Sequence, residues 1–552
     1  MDVLKAEELF REFREVSITE FFKKNKAHLG YSGKIRSLTT VVHELVTNSL
    51  DACEEARILP DILVEIRQLG DEHYMVKEVD NGPGILPKRV PDVFGKMLAG
   101  TKFHRNIQLR GQQGIGVAGV TMFSQMTSGK PIKVKTSIGN GKVHEFELMI
   151  DISKNKAEVL DHLVYDENWR GTQVECELKG VKFSLGEQGP YEYVRRTAIA
   201  NPHARIVFID PNGKKTIFER SSDTIPKPPI EIKPHPKGIT VDDLFHMAKS
   251  STARKVSSFL VSSFARMSPK KVKEIQSKVS FDLDKNPRKL TWQECEEIIK
   301  AIQEIKFLAP STEGLSPIGE EQIRKAVINI LDPEFDAILT RPPKTYSGGI
   351  PFQVEVAIAY GGSAGRRINT GVKFELMRFA NKTPLLFDAG GCAITKAVTS
   401  VDWKRYGIPD YENAPLTILV NLISTYIPYT SAGKQSIADE KEIVKEIRMA
   451  LMEVGRKFQV YHSRKRRAME REQKKQILLK YSQEVANALA YLTDEDAEKI
   501  KKDLEELIER KIEQIAMEEE EEMEEELMGE KDTIETIEDV EEEKEKIEVE
   551  TP

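Results

Sequence analysis

Residues 44–52 read Glu-Leu-Val-Thr-Asn-Ser-Leu-Asp-Ala, inside a segment from about Ser37 to Arg57 where Leu38, Val41, Val42, Leu45, Val46 and Leu50 recur at helical spacing. On a helix, Glu44, Asn48 and Asp51 stand at i, i+4 and i+7 and share a face that the apolar residues leave free. A carboxylate beside a neutral amide suits a site where a water is deprotonated and a magnesium ion keeps most of its waters. Taken alone, the stretch fits a solvated polar face equally well.

Two further motifs follow in order. Asp80-Asn81-Gly82-Pro83-Gly84-Ile85 comes after the strand-like VKEV, and its glycines allow a tight turn and close approach of a ligand to the backbone. An aspartate at that strand end can accept a hydrogen bond from an exocyclic amine such as adenine's, although an Asp-Asn-Gly turn is common by itself. Then comes Arg110-Gly111-Gln112-Gln113-Gly114-Ile115-Gly116-Val117-Ala118-Gly119, leading into the helix-competent VTMFSQM. Glycines before a helix expose backbone N–H groups to an anion, and the helix dipole adds to the attraction. Just upstream, Thr101 and Lys102 offer a hydroxyl and an ammonium group. The complete G-x-x-x-x-G-K-[ST] loop of other nucleotide-binding proteins is missing; Gly433-Lys434-Gln435-Ser436 resembles only its end.

Around these motifs DILVEIRQL, HYMVKEVD, PIKVKTSI, VHEFELMI and TQVECEL alternate as strands do, so an α/β sandwich is expected up to about residue 225. The proline-dense PKPPIEIKPHPKG at 226–238 reads as a linker. Residues 239–306 carry helix formers and little strand signal, whereas FQVEVAIAY and PLTILVNLI restore a mixed pattern within 320–438. A charge-laced helical segment then runs from about Asp439 to Ala516, its basic run Arg464-Lys465-Arg466-Arg467 appearing as an interruption, before a Glu-rich tail expected to be disordered.

The bulk numbers fit several globular domains: 552 residues, 39% hydrophobic and 31% charged. No apolar run approaches the roughly 18 residues of a membrane span, and the first residues lack a signal-peptide core. Cys53, Cys176, Cys295 and Cys392 are scattered, suggesting neither a zinc site nor a disulfide framework. The net charge of −7 hides an asymmetry, because residues 518–552 carry −16 and the rest +9. A basic body is compatible with a nucleic-acid partner.

Together, the three motifs on one α/β unit resemble the Bergerat-fold (GHKL) ATPases, the superfamily of gyrase B subunits, large heat-shock chaperones, histidine kinases and mismatch-repair ATPases. Within it, the phosphate loop RGQQGIGVAG with GTKF before it, Gly171-Thr172 in RGTQVECEL, a helical insert after the prolines and YTSAGKQSIA near the end of a second α/β unit resemble the B subunits of type IIB DNA topoisomerases. The resemblance implies an α+β multidomain chain. Its parts would be an N-terminal strap (1–36), a Bergerat-fold ATPase domain (37–228), a helix-two-turns-helix domain (229–306), a transducer (307–475), a C-terminal helical extension (476–516) and a disordered acidic tail (517–552).

It also implies roles. Glu44 would be the general base and Asn48 a magnesium ligand. Asp80, Thr101, Lys102, the loop Gly111–Ala118 (Gly111, Gln112, Gln113, Gly114, Ile115, Gly116, Val117 and Ala118) and Thr172 would hold ATP, and Lys434 would reach the γ-phosphate from the transducer. ATP binding would dimerise two B subunits around duplex DNA in a cytoplasmic, nucleoid-associated A2B2 heterotetramer, in which a separate A subunit cuts DNA. A chaperone or mismatch-repair clamp with the same ATPase head is the main alternative. A non-catalytic scaffold and a histidine kinase fit less well.

Overall fold

The computed structural model describes residues 20, 24–98, 106–111, 114–431 and 433–521. Thr101, Lys102, Gln112 and Gln113 lie outside the described residues, as do most of the expected strap and the tail beyond 521. The chain forms two compact units, one reaching residue 402 and including 410–454, the other combining 403–409 with the residues from 455 onward.

The first unit begins with helix α1 (Lys34–Glu55), launched from Gly33 at φ 79°, and its apolar stripe Leu38, Val41, Val42, Leu45, Val46 and Leu50 is fully buried. Strands β1 (Asp61–Gly70) and β2 (His73–Asp80) form a hairpin, followed by α2 (Val90–Gly95) and α3 (Gly116–Ser128). Then come β3 (Ile132–Ile138), β4 (Lys142–Asp151), β5 (Lys156–Asp166), β6 (Arg170–Lys179), α4 (Pro190–Ala200), β7 (Arg205–Ile209) and β8 (Lys215–Phe218). They build an eight-stranded sheet in the order β5-β4-β3-β6-β2-β1-β7-β8, antiparallel except where β1 pairs with β7. Side chains of α1, α3 and α4 close one core with it.

The prolines of 226–238 do prevent regular structure, apart from one short 3-10 turn, but the segment is fixed rather than loose. Ile230 N–H donates to Glu313 O at 2.9 Å, Ile232 N–H to Asn106 O at 3.1 Å, and Lys227 O accepts from Ser316 Oγ at 2.9 Å. Next, α5 (Val241–Ser250), α6 (Val256–Ser263), α7 (Pro269–Gln276) and α8 (Trp292–Glu304) pack around their own core of Leu244, Phe259, Leu260, Ile275, Ile298 and Ile302. Capping boxes at Thr240/Asp243 and Thr291/Glu294 start α5 and α8, each contributing roughly 1 kcal/mol.

The rest of the first unit runs α9 (Glu320–Leu331), β9 (Phe335–Thr340), β10 (Lys344–Tyr346), β11 (Ile350–Tyr360), the small hairpin β12 (Arg366–Ile368) and β13 (Gly371–Lys373), β14 (Glu375–Ala380), β15 (Thr383–Pro384), α10 (Ala393–Thr399) and β16 (Leu416–Ser424). The second sheet is ordered β10-β11-β16-β14-β15, with β9 also pairing to β11. Helix α4 serves both halves. Tyr193, Val194 and Ala198 enter the first core, while Ile199 and Ala200 pack with Met377, Phe379 and Leu419 in the second.

In the second unit, helix α11 (Lys441–Thr493) runs on from residue 455 without a break, so Arg464–Arg467 lie within a continuous helix rather than interrupting it. Residues 497–521 are helical too, which extends order into the first residues of the expected disordered tail. They fold back on α11, where Arg467 donates to Glu519 O at 3.0 Å, Arg471 pairs with Glu519, and Lys475 lies 3.2 Å from Glu509. The basic run is thus partly covered by the chain's own acidic helix. Ile477, Leu478, Tyr481, Val485 and Leu489 remain exposed along α11.

Because the four-helix module closes its own core, residues 236–308 expressed alone should give a helical circular-dichroism spectrum and a cooperative thermal transition. A featureless melt would show that the module depends on the rest of the chain.

Candidate active site

Glu44 stands on α1 facing the first turn of α3. The approach is so close that a Cβ on Gly116 would lie 2.0 Å from Glu44 Oε2, so any side chain at 116 must push the Glu44 carboxylate aside. Helix α3 has no side-chain cap, and its first backbone bond runs from Gly119 N–H to Ile115 O at 2.6 Å. The N–H groups of Gly116, Val117 and Ala118 are therefore left without helical acceptors, as at any helix N-terminus, and together with the dipole they form an anion-attracting end. Ala118 is buried and Val117 packs against the same core, so these two residues offer backbone rather than side chain. Gly111 and Gly114 flank the gap in the described loop, Gly114 at φ 57°.

One turn along α1, Asn48 is exposed and its amide nitrogen donates to Glu44 O at 2.5 Å, so the atom that bond takes up is not its carbonyl oxygen. Asp51 does not share that setting. It is buried, and its carboxylate accepts from Arg110 Nη1 at 2.8 Å. The face expected to carry all three residues is open to solvent near Asn48 and roofed by Arg110 at Asp51.

Asp80 ends β2 as a buried carboxylate held from three sides. Gly82 N–H donates to it at 2.7 Å, Ser49 Oγ at 3.1 Å and Thr172 N–H at 3.2 Å. Burial pushes its pKa up, and these hydrogen bonds oppose the shift. Thr172 is its register partner on β6, with a hydroxyl 3.3 Å from that of Thr136. The turn is rigid: Asn81 accepts from Asp61 N–H and donates to Leu59 O, and a Cβ on Gly84 would strike Ser137 O at 2.1 Å.

Lys434 arrives from the loop after β16, at φ 51°, far from Glu44 in sequence. Its neighbour Gly433 packs against Gly30 and Arg36, and Arg36 pairs with Asp388 through two contacts of 2.9 and 3.0 Å. The Lys434 charge is felt at His43, the residue before Glu44. Burial is the main force lowering the His43 pKa, Glu44 opposes it, and Lys434 adds to the lowering. The structure thus sets Glu44 and Asn48 in the middle of α1, Glu44 against the start of α3, with the Lys434 loop near the helix's N-terminal end and Asp80 hydrogen-bonded to Ser49.

Sequence comparison identifies the families to which both α/β halves are similar. Residues 33–152 match the family described as histidine kinase-, DNA gyrase B- and HSP90-like ATPase, and residues 310–474 the topoisomerase VI B subunit transducer. The chain is 50% identical over 556 residues to the B subunit of type 2 DNA topoisomerase 6 from Pyrococcus horikoshii, covering 92% of this chain and 97% of that one. It is 50% identical over 496 residues to the B subunit of the same name from Methanothermobacter thermautotrophicus, covering 89% and 95%. The chain belongs to the family of type 2 DNA topoisomerase 6 B subunits.

Several side chains that this family member places around the pocket escaped the sequence reading. Tyr31 stacks on Phe123 at 4.5 Å with its buried hydroxyl unpartnered among the described residues, and burial followed by Glu44 raises its pKa. His43 lies 4.0 Å from Glu44 and likewise has an unpartnered Nδ1. Glu78, two residues before Asp80 on the same strand face, is fully enclosed, and burial together with the Asp80 charge pushes its carboxyl well above the usual range. Only Glu78 had a signal in the sequence, its i−2 spacing from Asp80 on an alternating strand.

A carboxyl held above its ordinary pKa binds its proton more tightly when folded, so that part of the stability is present at acid pH and is lost as pH rises through the raised value. Glu78→Gln stays neutral throughout. Its thermal midpoint should gain on that of the parent as pH is raised from about 5 to about 8. A pH-independent difference would contradict the raised pKa.

Proposed function

We propose that this chain is the ATP-hydrolysing subunit of a type IIB DNA topoisomerase, in which nucleotide state drives strand passage. The close packing of the Glu44 carboxylate on the uncapped start of α3 carries the reading, because it sets a proton acceptor against the position where a terminal phosphate would lie. Asp80 accepts a hydrogen bond from the adenine amine, with Thr172 beside it. The loop from Gly111 to Ala118, with Gln112 and Gln113, wraps the phosphates through its backbone, and Thr101 and Lys102 add contacts to ATP.

In hydrolysis, a water attacks the γ-phosphorus in line with the leaving ADP oxygen. Glu44 takes the water's proton as the new P–O bond forms and the old one breaks. Lys434 balances the charge on the transferred phosphoryl group and ties the nucleotide state to the transducer. The carbonyl oxygen of exposed Asn48, which the bond to Glu44 O does not use, fits a magnesium ion. Among the described residues no cluster of three or more acidic, His or Cys side chains suits a metal, so the phosphates and water would supply its other oxygens.

The ATPase, helix-two-turns-helix and transducer domains take the bounds 37–228, 229–306 and 307–475. Two such chains dimerise on binding ATP and close around duplex DNA, and an A subunit supplies the DNA-cutting chemistry in an A2B2 assembly. The exposed stripe from Ile477 to Leu489 is the apolar face offered to that subunit.

Glu44→Gln should retain ATP binding and lower phosphate release by roughly 10²- to 10⁴-fold. Undiminished release would remove Glu44 from the role of base. Lys434→Ala should slow turnover and weaken ATP-driven dimerisation, read by gel filtration with a non-hydrolysable analogue. Mixed with the A subunit, the parent chain should relax supercoiled DNA only when ATP is present; relaxation without the A subunit would refute the division of labour.

A further inference from the structure

Lys434 is not the sole side chain of the second α/β half to reach the first. Strands β14 and β15 pair through Phe379–Pro384 and Ala380–Thr383, leaving Asn381 and Lys382 as a two-residue turn. Both residues have positive φ, 49° and 67°. Such turns favour glycine, above all at the second position, so a lysine there carries backbone strain. This lysine is also buried, at 3% exposure. Burial lowers its pKa, with Glu54 opposing and Arg110 adding.

The turn is heavily hydrogen-bonded, and two of its contacts lead to the start of the glycine-rich loop. Asn381 Nδ2 donates to Leu109 O and to Ser424 O, both at 3.0 Å. Lys382 N–H donates to Asn421 Oδ1 at 3.1 Å, and its ammonium to Ser316 Oγ at 3.3 Å. Lys382 O accepts from Asn201 at 3.3 Å, and the same Asn201 accepts from Arg110 through its carbonyl oxygen. Arg110 directly precedes Gly111. Its guanidinium is bound by Glu54 at 2.6 and 2.9 Å and by Asp51 at 2.8 Å, with the side chain 6% exposed. Beside this network lies a cavity of about 90 Å³, lined by Arg110, Lys382, Glu54, Ser316 and Pro228 among others.

We propose that the Asn381–Lys382 turn is a positioning element for the phosphate loop: by fixing Leu109 and Arg110 it sets how tightly ATP is held, independently of Lys434. The inference rests on the functional reading above. Lys382 touches no substrate and acts through Arg110. Its strained backbone is retained because a glycine at that position would free the turn and discard the ammonium that balances Glu54 and Glu355.

The test uses the full chain and an unhydrolysed ATP analogue, with the dissociation constant measured beside KM, kcat and the thermal midpoint. Lys382→Met keeps the side chain's bulk without its charge, and Lys382→Gly relieves the turn, so one of the two should fold well. Either should weaken analogue binding and raise KM by roughly fivefold to tenfold, with kcat falling by less. Combined with Arg110→Lys, the losses should be less than additive, because both act on one contact. The proposal is overturned by parental affinity in both variants, by additive losses, or by failure of both to fold, which would make the network purely structural. A parent chain that binds no ATP would instead refute the functional reading.

Discussion

The ion cluster of Arg110 with Asp51 and Glu54 is the constraint on which the pocket depends. Removing three charges from water costs several kcal/mol per ion, and the arrangement persists only where geometry and extra hydrogen bonds compensate. Here they do so for all but the guanidinium Nε, which has no partner among the described residues. The cluster joins the C-terminal end of α1 to the start of the glycine-rich loop. Asn201, just past the end of α4, and the β14–β15 turn close around it. It ties the helix that carries Glu44 directly to the residue before Gly111.

The pocket is consequently a product of two layers. The first sheet and α1 supply a carboxylate, an amide and a buried aspartate, while the second half approaches with the Lys434 loop and the Asn381–Lys382 turn. Helix α4 joins the two halves, since it contributes to both cores and its Arg195 and Arg196 pair with Glu375 of the second half. A side chain moved on one layer is felt on the other through packed elements rather than through a flexible tether.

Much of this was legible in the sequence, and the failures have local causes. The period of α1 and the glycines of the Asp80 turn are short-range signals, and they marked the right elements. Asp51 was misjudged because helical spacing fixes direction but not what covers each turn, and Arg110 covers only the last. The sequence around Lys156–Asp166 gave no clear alternation, because that edge strand is exposed on both sides and has little reason to segregate its residues. Prolines excluded regular structure at 226–238 correctly, yet said nothing of the backbone bonds that hold the segment down. Lys382 could not have been found at all. A lysine in a tight turn reads as a solvent-exposed charge, and its burial is decided by elements hundreds of residues away. The basic run on α11 met a similar fate, since its acidic partner lies beyond the intervening helix break.

The contact between Glu44 and Gly116 also bears on how this loop can drift. At position 116 a side chain can enter only by pushing the Glu44 carboxylate aside, whereas a Cβ on Gly111 would meet nothing within 4 Å among the described residues. Substitution therefore acts differently along a few residues of one glycine-rich run. An alanine at 116 would register as though the Glu44 carboxylate itself had been altered, because it displaces that group.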